Sequence, residues 1–131
     1  MKACSISVSS CVDGVENAVT REGEISLSLS STELFYREED GEVRIFLQGD
    51  SARIERTGEY SLHLFLKEGE TSEGILGIFG REGSIPVRCN RVAYSVGKGS
   101  LLLSLWYGLN LGEKWQEMKL RIHAREKKES L

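Results

Sequence analysis

One proline, two histidines and three cysteines among 131 residues leave little material for several kinds of chemistry. Nucleophilic catalysis needs a base beside a serine or cysteine, and only His63 and His123 could supply one. His123 alternates with Lys119 and Arg121, which places it on a wet face. His63 lies between Ser61 and Phe65, opposite the leucines of its segment. Neither reads as a base, so an enzyme is disfavoured and no catalytic residue is assigned. The histidines and scattered cysteines match no metal-ligand spacing, and neither a metal nor another cofactor is expected. Cys4, Cys11 and Cys89 are odd in number and form no C-x-x-C pair. With no apolar stretch of signal-peptide length at the start, reduced thiols in a cytoplasm are the expectation. No run approaches the roughly 20 apolar residues that cross a bilayer, so no membrane partner is expected.

Charge of either sign is also without excess. Seventeen basic against twenty acidic side chains give a net charge of −3. That balance offers no general attraction for phosphate backbones, so nucleic acid is disfavoured as a partner. Glu38, Glu39, Asp40, Glu68 and Glu70 cluster in predicted turns, and no pair of them can be argued to flank a substrate. The basic run Arg125 to Lys128 is broken by Glu126. It reads as a solvated end, and residues 123–131 are expected to fray from a single domain spanning 1–131.

What the chain does have is a period of two. Cys4, Ile6 and Val8 alternate with polar residues, as do Ile25, Leu27 and Leu29, then Val43, Ile45 and Leu47. The same rhythm returns in Leu62 to Leu66, Ile85 to Cys89, Val92 to Val96, Leu101 to Leu105 and Met118 to Ile122. Such alternation marks strands with one buried and one wet face. Pairs such as Asp13-Gly14, Asp40-Gly41, Gly49-Asp50, Lys98-Gly99 and Leu111-Gly112 supply tight turns between them. Turns this short force antiparallel neighbours. With Leu111-Gly112 as a two-residue turn, Leu105 would face Met118 and Leu103 would face Leu120, with Trp106 opposite Glu117. The fold class predicted is all-β: an antiparallel up-and-down barrel of about eight to ten strands, with a two-sheet sandwich as the alternative. Short sequential hairpins favour the barrel, because Greek-key sandwiches need longer connections.

Two stretches imitate phosphate loops. Gly74-Ile75-Leu76-Gly77-Ile78-Phe79-Gly80-Arg81-Glu82-Gly83 has a glycine at every third position. It lacks the proline of collagen and the two-then-three spacing of a dinucleotide loop. Bulges or bends at a tight corner, with Gly80 to Gly83 as a turn, are the predicted reading, and Pro86 beyond it suggests an edge or bulge. Gly97-Lys98-Gly99-Ser100 contains a Gly-Lys pair but has valine at position 92 and glycine at position 99, where a P-loop needs Gly and Ser or Thr. A hairpin turn is predicted there.

Several of these residues together resemble a known family. Arg56-Thr57-Gly58-Glu59 joins two alternating segments, the second running through Phe65 to Lys67-Glu68-Gly69. Downstream come Phe79-Gly80, Tyr107-Gly108-Leu109, and Gly112 leading to Leu120-Arg121-Ile122. From about residue 20 onward this order resembles the YwiB-like family of small bacterial proteins. The resemblance implies a calycin or lipocalin-like β-barrel and carries no particular activity with it.

Candidate contacts come from side chains that alternation turns inward. Continuing from Ala52 and Ile54, Arg56 falls on the apolar face, with Tyr60 further along it. Tyr36 follows Leu34, Tyr94 lies between Val92 and Val96, and Tyr107 follows Leu105. An inward arginine must be paired with a carboxylate, Glu59 being the nearest in sequence, or await an anionic ligand. Arg56, Tyr36, Tyr60, Tyr94 and Tyr107 are therefore the predicted ligand contacts of a barrel that binds a small apolar or anionic molecule. The alternative is an interaction or homodimerisation module with a filled interior, using an outer face that bears Trp106 and Trp115.

Overall fold

The computed structural model describes residues 1–28 and 30–128. Ten strands follow in chain order: β1 (Lys2–Val12), β2 (Val15–Leu27), β3 (Thr32–Glu38), β4 (Gly41–Gln48), β5 (Ser51–Gly58), β6 (Tyr60–Lys67), β7 (Thr71–Ile78), β8 (Arg81–Gly97), β9 (Ser100–Asn110) and β10 (Trp115–Glu126). Each pairs antiparallel with its neighbours in sequence, and β1 pairs with β10 to close the barrel. Closure decides for the barrel over the sandwich. No helix among the described residues is long and apolar enough to cross a membrane.

The alternation works as the pleat requires. Leu34, Ile45, Ile54 and Leu64 form one cross-strand row, and all four are buried. Burying each such side chain stabilises the fold by about 1.5–3 kcal/mol, so rows like this one carry the barrel. Cys4 and Cys89 face inward and are buried, and burial pushes the Cys4 thiol up to about 11. Cys11 lies on the opposite face of β1 from Cys4, and all three cysteines are free.

Four expectations need correction. The last hairpin is closed by a four-residue loop, so Leu105 faces Leu120, Leu103 faces Ile122 and Trp106 faces Lys119. The Leu111 amide donates to the Lys114 carbonyl and the Gly112 amide to Asn110 Oδ1, which favours the longer loop. Slipping by two residues leaves every side chain on its expected face. Secondly, Ile85–Cys89 and Val92–Val96 belong to one strand, β8, with a bulge between Cys89 and Arg91. The bulge absorbs the switch from odd to even inward positions. It also frees backbone for the β6–β7 turn: the Cys89 amide donates to the Glu70 carbonyl and the Gly69 amide to the Cys89 carbonyl.

Thirdly, the glycine triplets are not bends. Gly74 and Gly77 sit in the unbroken β7–β8 ladder. A Cβ at Gly74 would lie 2.8 Å from Leu64 Cδ2 and 3.1 Å from Val87 Cγ2, so close packing explains that glycine. The turn is Phe79-Gly80, both at positive φ (53° and 76°), as a two-residue hairpin demands. Pro86 lies where β8 pairs with β7 alone, an edge position. Finally, β10 continues to Glu126, so the tail does not fray from residue 123: His123 to Glu126 pair with β1, and the Lys127 amide donates to the Ala3 carbonyl. Leu29 and residues 129–131 lie outside the described residues.

Two alanine substitutions within the triplet should separate packing from bending. Gly74→Ala should cost about 1–3 kcal/mol, because Leu64 must move. Gly83→Ala, whose Cβ would meet open space at an ordinary φ, should be neutral or stabilising by about 0.5 kcal/mol. Urea unfolding of both variants checks this, and equal effects would contradict it.

Candidate functional site

Arg56 faces the interior as its position in β5 requires, and it is 4% exposed. Its Nη2 donates to Asp40 Oδ1 at 2.7 Å and its Nη1 to the Tyr60 carbonyl at 2.9 Å. Glu38 Oε1 stands 3.8 Å from Nε, and the guanidinium lies over the Tyr60 ring, 3.8 Å from its centroid. The partners are therefore Asp40 and Glu38 from the β3–β4 hairpin, not the sequence neighbour Glu59. Glu59 uses its backbone amide instead, donating to the Asp40 carbonyl. Space for the guanidinium comes from Gly41, where a Cβ would lie 3.0 Å from Arg56 Cζ.

A second inward arginine escaped the sequence pattern. Arg21 follows Ile25 and Gly23 along the inner face of β2 and pairs across with Ile6. Gly23 contributes no apolar side chain, so the alternation that would have exposed Arg21 is blank at that step. Its Nε, like that of Arg56, is buried without a hydrogen-bond partner. Tyr36 stands between the two arginines. Burial, and then the neighbouring Glu38, push its phenol well above the ordinary range, while Arg21 and Arg56 pull it back. Tyr107 is buried too, and desolvation raises it to about 12, with Tyr60 adding to the effect.

These groups gather at the end of the barrel where the β3–β4, β5–β6 and β7–β8 turns lie. Tyr60 is 39% exposed and covers Arg56 there. Beside it opens a recess of about 520 Å³ lined by Glu59, Tyr60, Leu76, Ile78 and Phe79. Phe79 at the hairpin tip is 95% exposed. Of the predicted contacts, Arg56, Tyr36, Tyr60 and Tyr107 thus come together, whereas Tyr94 stands apart, half-buried opposite Leu103.

Trp106 and Trp115 lie on the outer wall, each beside a cation. Lys119 Nζ stands 4.6 Å above the Trp106 ring, and the Arg88 guanidinium lies 4.5 Å from the Trp115 ring. Glu117 links the two, accepting from Trp106 Nε1 at 2.9 Å and from Arg88. Those two hydrogen bonds, Arg88 first, hold its carboxyl below the usual range.

Among solved structures, the barrel is similar to the crystal structure of the YwiB protein from Bacillus subtilis, with a TM-score of 0.82 over 97% of this chain and 93% of that one. The fold is that of YwiB. At 12% identity the likeness speaks for the barrel alone, and to that extent the family resemblance read from the sequence holds. No protein-family model and no curated protein matches the chain.

Two outcomes follow. Because the Tyr36 and Tyr107 phenols ionise at higher pH in the fold than in the unfolded chain, stability should be full below about pH 10 and fall as the pH rises towards 12. Tyr107→Phe should flatten that alkaline limb in pH-dependent thermal melts. Asp40→Ala should destabilise by roughly 2–4 kcal/mol, since it strips the best partner from a buried cation. Glu59→Ala, by contrast, should leave stability within about 0.5 kcal/mol of the parent.

Proposed function

We propose that the protein binds a small anionic molecule with an apolar portion at the Arg56 end of the barrel, without chemical turnover. The observation that supports this reading is the pair of inward arginines, each with a buried Nε–H that no group accepts from. A buried donor left unpaired costs about 1–3 kcal/mol, more beside a charge, and an anion reaching both would remove that cost. Asp40 and Glu38 together offset Arg56. Arg21 has no carboxylate within salt-bridge distance among the described residues and so is the cation left without a direct ion pair. Leu76, Ile78 and Phe79 would receive the apolar part. The deeper interior is packed with side chains, so the ligand would sit at the mouth, between the hairpin tips. Three free thiols suit the reducing compartment in which such a binder would work.

Native and denaturing mass spectrometry of freshly purified protein, with organic extraction, tests this directly. An adduct that leaves on denaturation and carries a carboxylate, phosphate or sulfonate is the expected result. Titration with anilinonaphthalene sulfonate should show uptake that weakens about tenfold or more in Arg21→Gln, the loss of one charge-assisted contact. Unchanged uptake in that variant, with its melting temperature intact, would refute the reading.

A further inference from the structure

The net charge of −3 averages over a surface on which the fold sorts charge by wall. On β10 the outward positions are Lys119, Arg121, His123 and Arg125, all exposed. Alternate residues of a strand are about 6.7 Å apart, so these side chains make one straight basic line. Arg88 and Arg91 of β8 flank it, paired across β9 with Gly108 and Trp106. On β9 and β10 the outward carboxylate is Glu117, and it is engaged by Arg88 and Trp106. Across the small side chains of β1, the outer face of β2 carries Glu16, Glu22 and Glu24, with Glu16 in the row of Lys119 and Glu22 in the row of Arg125, so an acidic line runs parallel to the basic one with β1 between them.

Beside the basic line the wall is hollow. Two cross-strand rows, Ser7–His123–Leu102–Ser95 and Ser9–Arg121–Ser104–Ala93, form the floor of a groove of about 510 Å³. Its serines and alanine leave room that larger side chains would fill. At the end nearer the β9–β10 loop the groove meets the two tryptophans. A Cβ at Gly108 would lie 3.3 Å from Trp115 Cε3 and 3.1 Å from Arg88 Nε, so the indole and the Arg88 side chain pack closely over that glycine. Both rings are held by cations and keep more than a third of their surface exposed.

We propose that this outer wall binds single-stranded nucleic acid, with the phosphate backbone along β10 and bases stacked on Trp106 and Trp115. A linear row of cations beside fixed aromatic plates is what a flexible polyanion with flat bases requires. A bilayer surface would want apolar anchors free of polar cover, whereas here both tryptophans lie beside cations and Leu102 is the exposed aliphatic side chain near them. An acidic peptide joining as an extra strand would need a free sheet edge, which closure removes. The assignment is independent of the Arg56 mouth and reverses what net charge alone suggests about nucleic acid.

The test is fluorescence anisotropy of labelled oligo(dT) and oligo(U) of about 16 nucleotides, enough to cover one site. Binding should weaken with salt at a log–log slope of about −2, set by the three permanent charges of β10. Lys119→Gln/Arg121→Gln/Arg125→Gln should lose at least tenfold in affinity and most of that slope. Arg37→Gln/Arg44→Gln/Arg53→Gln, which removes the same charge from the opposite wall, should bind as the parent does. Tryptophan fluorescence should be quenched on binding, and Trp106→Leu should reduce the quench. No binding at about 50 mM salt, equal loss in the two triple variants, or attachment to phosphatidylserine vesicles without any quench by oligonucleotide would each overturn the proposal.

Discussion

A strand with one apolar and one wet face is stable only when its apolar face is covered and its backbone is paired on both sides. Ten such strands meet both demands at once when β1 finds β10. That single pairing joins the ends of the described chain and removes the two edges along which a ten-stranded sheet would aggregate. It also brings Cys4, Ile6 and Val8 over the rest of the core. The closing ladder is long, running from Cys4 opposite Glu126 to Val12 opposite Met118. The β1–β2 turn reinforces it, since Asp13 exchanges hydrogen bonds with Glu117 through its amide and its carboxylate.

Closure fixes where charge can go. An arginine on an inner face has nowhere to hide except an end of the barrel, and Arg56 is held there by a hairpin carboxylate, a backbone carbonyl and an aromatic ring. Glycine at position 41 is the steric condition for that arrangement, although in the sequence it looks like an ordinary turn residue. On the outside, the same alternation lines up every second residue of β10 and so concentrates cations that composition spreads thin. Two chemically distinct regions result, one at a mouth and one on a wall, separated by a filled core.

Particular residues show why some of this was legible and some was not. Arg56 could be placed inward because Ala52 and Ile54 set the parity just before it. Arg21 was harder to place, because Asn17, Arg21 itself and Gly23 interrupt the apolar rhythm between Val19 and Ile25 on that face of β2. The pairing of Arg56 with Asp40 rather than Glu59 depends on the register of β4 on β5, which sets Gly41 opposite Gly58 and brings Asp40 within reach, a placement that local spacing does not encode. Trp106 and Trp115 were rightly placed on a wet face, but a two-residue slip in the hairpin register exchanged their neighbours. Alternation has a period of two, so it determines faces and is blind to slips of two.

The amino-acid sequence by itself determined the fold class, the antiparallel order and, wherever apolar residues mark the parity, the face on which a side chain stands, because these follow from local periodicity and turn chemistry. Tertiary structure alone decided the register of the last hairpin, the bulge that carries β8 through its change of parity, the partners of the buried arginines and the gathering of cations on one wall. Each of those depends on distances between strands far apart in sequence, and only the closed ladder sets those distances.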